Sequence, residues 1–155
     1  MALDISRVVL GRADGKTNFA TYAFAVASGV KVTAGDFVYF NGGRITNASI
    51  AGARLAGYAI ETGTGVANGS VKVLVIVDPL VRYLLKNDND STTFAATHVG
   101  THFDLIGATG AQLVDTSTTG STGQLLALEY NPQIEPVKTD ASYGVFVISE
   151  SEFSI

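Results

Sequence analysis

Ser70-Val71-Lys72-Val73-Leu74-Val75-Ile76-Val77-Asp78 is the stretch of this chain that decides its fold. β-Branched residues dominate it, and such side chains suit the pleated, half-buried surface of a sheet. Successive side chains of a strand point to opposite faces. Val71, Val73, Val75 and Val77 therefore share one face, and Lys72, Leu74 and Ile76 the other. The second face begins wet at Lys72 and ends dry at Ile76. Such a strand is expected to run through the interior of a sheet, covered on both faces along half its length. Pro79 ends it, and Leu80–Lys86 is expected to continue as a second strand after a kink.

Toward the N-terminus, the loop Thr62–Gly69 carries three glycines and closes on Asn68-Gly69, a strong turn signal. Leu55–Glu61 precedes it as a candidate strand. Further back, Asp36-Phe37-Val38-Tyr39-Phe40 is a β-branched and aromatic run closed by Asn41-Gly42-Gly43. That triplet accepts positive φ, and Arg44-Ile45-Thr46 reads as the returning strand of a hairpin. Val30–Thr33 alternates and turns at Ala34-Gly35, while Phe19–Val26 places aromatics at Tyr22 and Phe24.

Toward the C-terminus, Asn87–Ser91 is a polar turn cluster, and Phe94–Gly100 is the one expected helical turn, with Thr92 or Thr93 as its cap. Strands are expected at Thr101–Ile106, Gln112–Val114, Gln124–Asn131 and Tyr143–Ser149. Thr116–Gly123, TSTTGSTG, reads as an exposed low-complexity loop. Two prolines in Asn131–Thr139 bias that segment away from pairing. Short strands between turn signals every ~8–12 residues indicate an all-β fold, a small β-barrel or β-sandwich with one helical turn and extended termini. No linker divides the chain. Residues 1–155 are read as a single β domain, with an N-terminal arm at 1–12 and a C-terminal arm at 149–155.

The composition narrows the function. Of 155 residues, 46% are hydrophobic and only 15% charged, against roughly 25% charged in an ordinary soluble domain. Ample apolar content and a net charge of -4 argue against intrinsic disorder. The absence of cysteine excludes disulfides, a thiol nucleophile and thiolate zinc sites. Ten basic residues scattered singly offer no patch for nucleic acid. No run reaches the ~18 apolar residues of a membrane span. The first ten residues, interrupted by Asp4 and Arg7, do not follow the pattern of a secretory signal, so folding in a cytoplasm is expected.

Catalytic chemistry finds little support. His98 and His102 are four apart with Asp104 nearby, a spacing that on a helix would suit a metal. Gly100 lies between them, however, and Phe103-Asp104-Leu105 reads as extended; ordinary turn histidines explain both. Asp88, Asp90 and Glu61 are carboxylates in polar loops, and Asx-turn formation explains the first two more simply than glycoside hydrolysis. Gly63–Gly69 lacks the GxxxxGK[ST] pattern and leads into a strand, so no helix N-terminus is present to hold phosphate. No catalytic residue, cofactor or metal ligand is expected. The aromatics Tyr22, Phe24, Phe37, Tyr39 and Phe40 are either a stacking platform or, for most of them, core. Tyr39 and Tyr83 are the candidates to point outward at an interface. Phe153 and Ile155, alternating with polar residues in Glu150–Ile155, suit a terminal strand added to a neighbour's sheet edge, or one paired within the chain.

Val30–Asp78 resembles a pattern in head decoration (capsid cement) proteins of tailed bacteriophages. The matching parts are V-T-A-G-D-F-V-Y-F at Val32–Phe40, A-G-Y-A-I-E-T-G-T-G at Ala56–Gly65, and S-V-K-V-L-V-I-V-D. Asn87–Leu105, N-D-N-D-S-T-T-F-A-A-T-H-V-G-T-H-F-D-L, is similar to the family's Asp-rich turn, helical turn and strand. The resemblance implies a β-barrel-like protein, commonly a homotrimer, made in the host cytoplasm and bound to the capsid exterior of the virion. There it would cement neighbouring copies of the major capsid protein, without nucleic acid or membrane as a partner. Two other readings stand beside it. One is a carbohydrate- or receptor-binding module of a tail fibre or tailspike, using outward tyrosines. The other is a β-barrel enzyme with a metal at His98 and His102.

Overall fold

Hydrophobic alternation and glycine-marked turns organise the chain into sheets. The computed structural model describes residues 7–16, 18–47, 53–88, 93–132 and 142–153. In chain order the strands are β1 (Arg7–Arg12), β2 (Thr21–Ala25), β3 (Lys31–Val32), β4 (Phe37–Asn41), β5 (Arg44–Asn47), β6 (Gly57–Ala59) and β7 (Gly63–Thr64). They continue as β8 (Lys72–Ile76), β9 (Val81–Lys86), β10 (His102–Ile106), β11 (Leu113–Gly120), β12 (Leu125–Tyr130) and β13 (Tyr143–Ile148). A 3-10 turn at Ala96–His98 is the only helical element among the described residues. The fold is all-β.

Two larger sheets and a small one result. The first has the order β1-β9-β13-β12-β10-β11, the second β2-β8-β6-β4-β5, and β3 pairs with β7. Every ladder is antiparallel. Both larger sheets curl. The bridge Val26↔Ile45 draws the end of β2 to β5, and Asn87↔Val114 draws the end of β9 to β11. Neither curl becomes a continuous ladder, so both remain open sheets with a seam.

The decisive stretch behaves as its pattern requires. β8 lies inside the second sheet between β2 and β6. Val73 and Val75 are buried on one face, while the other face passes from exposed Lys72 through half-buried Leu74 to buried Ile76. The β4–β5 hairpin also forms. Asn41 pairs with Arg44, which leaves Gly42 and Gly43 as a two-residue turn at φ 60° and 79°, the left-handed region that glycine tolerates best. Gly57 is required for a different reason. A Cβ there would stand 1.9 Å from the Ile76 carbonyl oxygen, so β6 approaches β8 only without a side chain.

The two faces of the second sheet serve two cores. Phe37, Tyr58 and Ile76 join Val81, Tyr83, Phe103, Leu125 and Phe146 of the first sheet in one cluster. Val38, Ile45, Ala59, Val73 and Val75, on the opposite face, form another inside the curl with Val26 and Val32. One buried glutamine joins the two sheets, and another ties the first sheet to the segment before β6. Gln112 accepts the Phe37 N–H through Oε1 at 2.6 Å and donates from Nε2 to the Phe37 carbonyl at 3.0 Å, standing in for a strand. Gln124 accepts the Leu105 N–H at 2.9 Å and donates to the Ala53 carbonyl at 2.8 Å. Buried Asp36 accepts from the Thr33 and Gly110 N–H groups and from the Thr109 hydroxyl, tying the turn before β4 to the turn before β11.

Several expectations are corrected. The expected loop Thr116–Gly123 is largely strand, because β11 runs on to Gly120; Thr116 is buried, its N–H and hydroxyl both donating to Asp88. Thr93 does not cap the helical turn: Ala95 stands at its N-terminus and the Nδ1 of His98 accepts the Ala95 N–H, while Thr92 lies outside the described residues. Of the expected N-terminal arm, residues 7–12 are β1, paired with β9 of the same chain. For the C-terminal segment, where both alternatives stood open, Glu150 and Glu152 are bonded within the chain: the Leu55 N–H donates to the Glu150 carbonyl and the Leu55 carbonyl accepts the Glu152 N–H. The excursion expected at 131–139 falls mostly outside the described residues, as do 1–6 and 154–155.

Candidate functional site

The clearest surface feature is an aromatic corner on the second sheet. Tyr22 and Phe24 of β2 stand opposite Val75 and Val73 of β8, so they share the face of the second core. Phe40 of β4 lies on that face too, packed with Phe24 against the same core. Where the buried valines end, these rings continue the face into solvent. Tyr22 and Phe24 have ring centroids 4.9 Å apart, and Phe24 and Phe40 meet edge-to-face at 5.0 Å.

The C-terminal segment supplies the fourth ring. Its backbone is anchored on both sides of Leu55, the Arg54 guanidinium donates to the Ser151 carbonyl at 2.6 Å, and the Ser151 hydroxyl accepts the Phe153 N–H at 3.0 Å. This places the Phe153 ring 5.9 Å from Phe24 and 6.1 Å from Phe40. Tyr22 remains 62% exposed and Phe153 37% exposed, although each lies against another ring. Exposed aromatic side chains held rigid by their neighbours lose little entropy when a partner covers them.

A cleft of about 530 Å³ opens beside Phe153. Ala20, Val77, Pro79 and Phe153 form its apolar part, and Arg12, Asp78 and Glu152 its polar part. Asp78, with its side chain only 2% exposed, pairs with Arg12 and accepts the Leu80 N–H. Arg12 also grips Asp14 with two hydrogen bonds, from Nε at 3.0 Å and Nη2 at 2.9 Å. The hydrogen bond from Arg12, helped by the Lys16 N–H and the nearby cations, lowers Asp14 to about 2 against the opposing effect of desolvation.

The interface residues expected from the sequence divide. Phe153 is at the corner. Tyr39 is half-buried against the core between the sheets. Tyr83 contradicts its outward assignment: it is fully buried between Phe37 and Tyr58, at centroid distances of 5.0 and 4.9 Å. The cause is alternation along β9, where Val81, Tyr83 and Leu85 all point into that core. Ile155 lies outside the described residues. Tyr22, which the sequence leaves open between platform and core, is the most exposed of the large apolar side chains described.

The imagined metal ligands do not converge. His98 packs against Phe94 and Phe103, while His102 and Asp104 lie on the face of β10 opposite Phe103. Among the described residues no group of three His, Asp or Glu side chains is placed to hold a metal ion. Asp88 serves Thr116, Glu61 accepts the Leu74 N–H at 2.9 Å, and Asp90 lies outside the described residues. No described helix is long and apolar enough to cross a membrane. No protein-family model, curated protein or solved structure matches the chain.

Proposed function

We propose that this chain is a non-catalytic structural protein of a tailed-bacteriophage virion, which binds the outside of the assembled capsid and cements neighbouring major capsid subunits. The observation that carries the reading is the aromatic corner. Four rings, held by β2, β4 and a pinned C-terminal segment, present a partly exposed apolar surface. Tyrosine and phenylalanine are enriched at the centres of protein interfaces for this reason. The sequence resemblance to capsid cement proteins supplies the partner.

The mechanism is thermodynamic. A protein that binds only the mature lattice stabilises it by mass action. A homotrimer engages several subunits at once, so each contact need be only modest. The chain is made in the host cytoplasm and ends on the capsid exterior. Co-sedimentation with purified, undecorated capsids tests the reading: saturable binding at a fixed number of copies, with a raised capsid melting temperature, is expected. Failure to co-sediment at any protein concentration would remove it. The exposure of Tyr22 also favours a second reading, a carbohydrate- or receptor-binding module of a tail fibre or tailspike. Binding of the isolated protein to glycans, with none to capsids, would select it.

A further inference from the structure

We propose that the cleft beside Phe153 receives an arginine side chain of the partner protein. Its charge carries the assignment. Arg12 is the one cation among the described residues that line the cleft, and Asp78 and Glu152 are its two carboxylates. That cation is already engaged: three of its N–H groups donate to Asp14 and Asp78. Glu152 is different. Among the described residues its ion pair is with Arg54, outside the lining, at 3.9 Å, beyond hydrogen-bond reach, and its side chain is 42% exposed. Arg54 directs Nη2 to the Ser151 carbonyl instead. The lining thus presents a half-exposed carboxylate, engaged by a long ion pair, together with an aromatic ring.

A guanidinium on an aliphatic stem complements that arrangement. The stem covers Val77 and Pro79, the planar head pairs with the Glu152 carboxylate, and its face lies against Phe153. Arginine fits better than lysine, because its fork matches a carboxylate and its plane stacks on a ring. The chain's net charge of -4 favours approach by a basic surface. The assignment rests on the reading above for which protein carries the arginine; recognition of the cation is tested without it.

The probe is n-propylguanidinium chloride, titrated into the full chain and followed by NMR, with 1-butanol and sodium butyrate as neutral and anionic controls. Saturable shifts at Val77, Glu152 and Phe153 are expected with the guanidinium alone. Glu152→Gln and, separately, Phe153→Leu should each weaken them about threefold. Equal shifts with butanol, or unchanged binding by Glu152→Gln, would overturn the proposal. So would shifts at these residues that arise from raising the protein concentration alone, which would identify a second copy as the occupant. If the probe binds but capsids do not, the capsid reading falls and the cation site stands; the reverse result removes the site alone.

Discussion

Arg12 links the two ends of the structure's polar chemistry, holding exposed Asp14 with one side of its guanidinium and buried Asp78 with the other. Because Asp14 is lowered in the folded chain from its usual 3.8 to about 2, the pair adds stability above the usual value and loses it as pH falls toward 2. Carboxyl NMR should find Asp14 titrating near 2, and Arg12→Gln should return it to the usual range; an unmoved titration would contradict the hydrogen bond as cause. Tyr83 makes a second case. Burial, with smaller contributions from Tyr58 and Asp78, raises its hydroxyl far above the ordinary tyrosine value, and that hydroxyl has no hydrogen-bond partner among the described residues. Removing an unsatisfied buried group while keeping the ring should cost nothing. Tyr83→Phe is expected to leave stability unchanged or raise it by about 1 kcal/mol in urea denaturation. A loss of about 2 kcal/mol would mean that the hydroxyl is satisfied in solution.

Between elements, the sheets are joined by side chains acting as backbone. Gln112→Leu keeps the volume but strips both partners from Phe37, so a loss of about 2–3 kcal/mol is expected by chemical denaturation, mostly from the unpaired N–H and carbonyl. A loss under about 0.5 kcal/mol would show that β4 does not need the glutamine. This linkage was not legible beforehand, since nothing in the residues around Gln112 marks it as a strand surrogate. The strands themselves were legible where alternation is strong. β8 and the β4–β5 hairpin follow directly from Val73, Val75, Ile76 and the Gly42-Gly43 turn. Thr116–Gly123 misled because serine, threonine and glycine describe loops by composition, whereas Thr116 is drawn into the sheet by Asp88, 28 residues away in sequence. Tyr83 misled because period-two alternation separates two faces without saying which of them a second sheet will cover.

For the whole molecule, the same limit hid the site. Tyr22 and Phe24 share a face with buried valines, and only the curl of the second sheet decides where burial stops and the aromatic corner begins. The alternating tail singles out Phe153, and the structure sets that ring, partly exposed, against Phe24 and Phe40. The pinning of its segment to the chain's own Leu55, rather than to a neighbour, depends on backbone hydrogen bonds to Glu150 and Glu152, about 95 residues away in sequence. The corner is where the chain is held to dock, and Tyr22→Ser tests that most directly, because a side chain 62% exposed can be changed with little effect on the core. Binding of the wild-type and substituted proteins to undecorated capsids should be measured alongside their melting temperatures. Unchanged melting with capsid affinity at least about tenfold weaker is the expected result, in the range of an aromatic interface hot spot. Equal affinity of the two proteins would place the docking surface elsewhere and contradict the central claim.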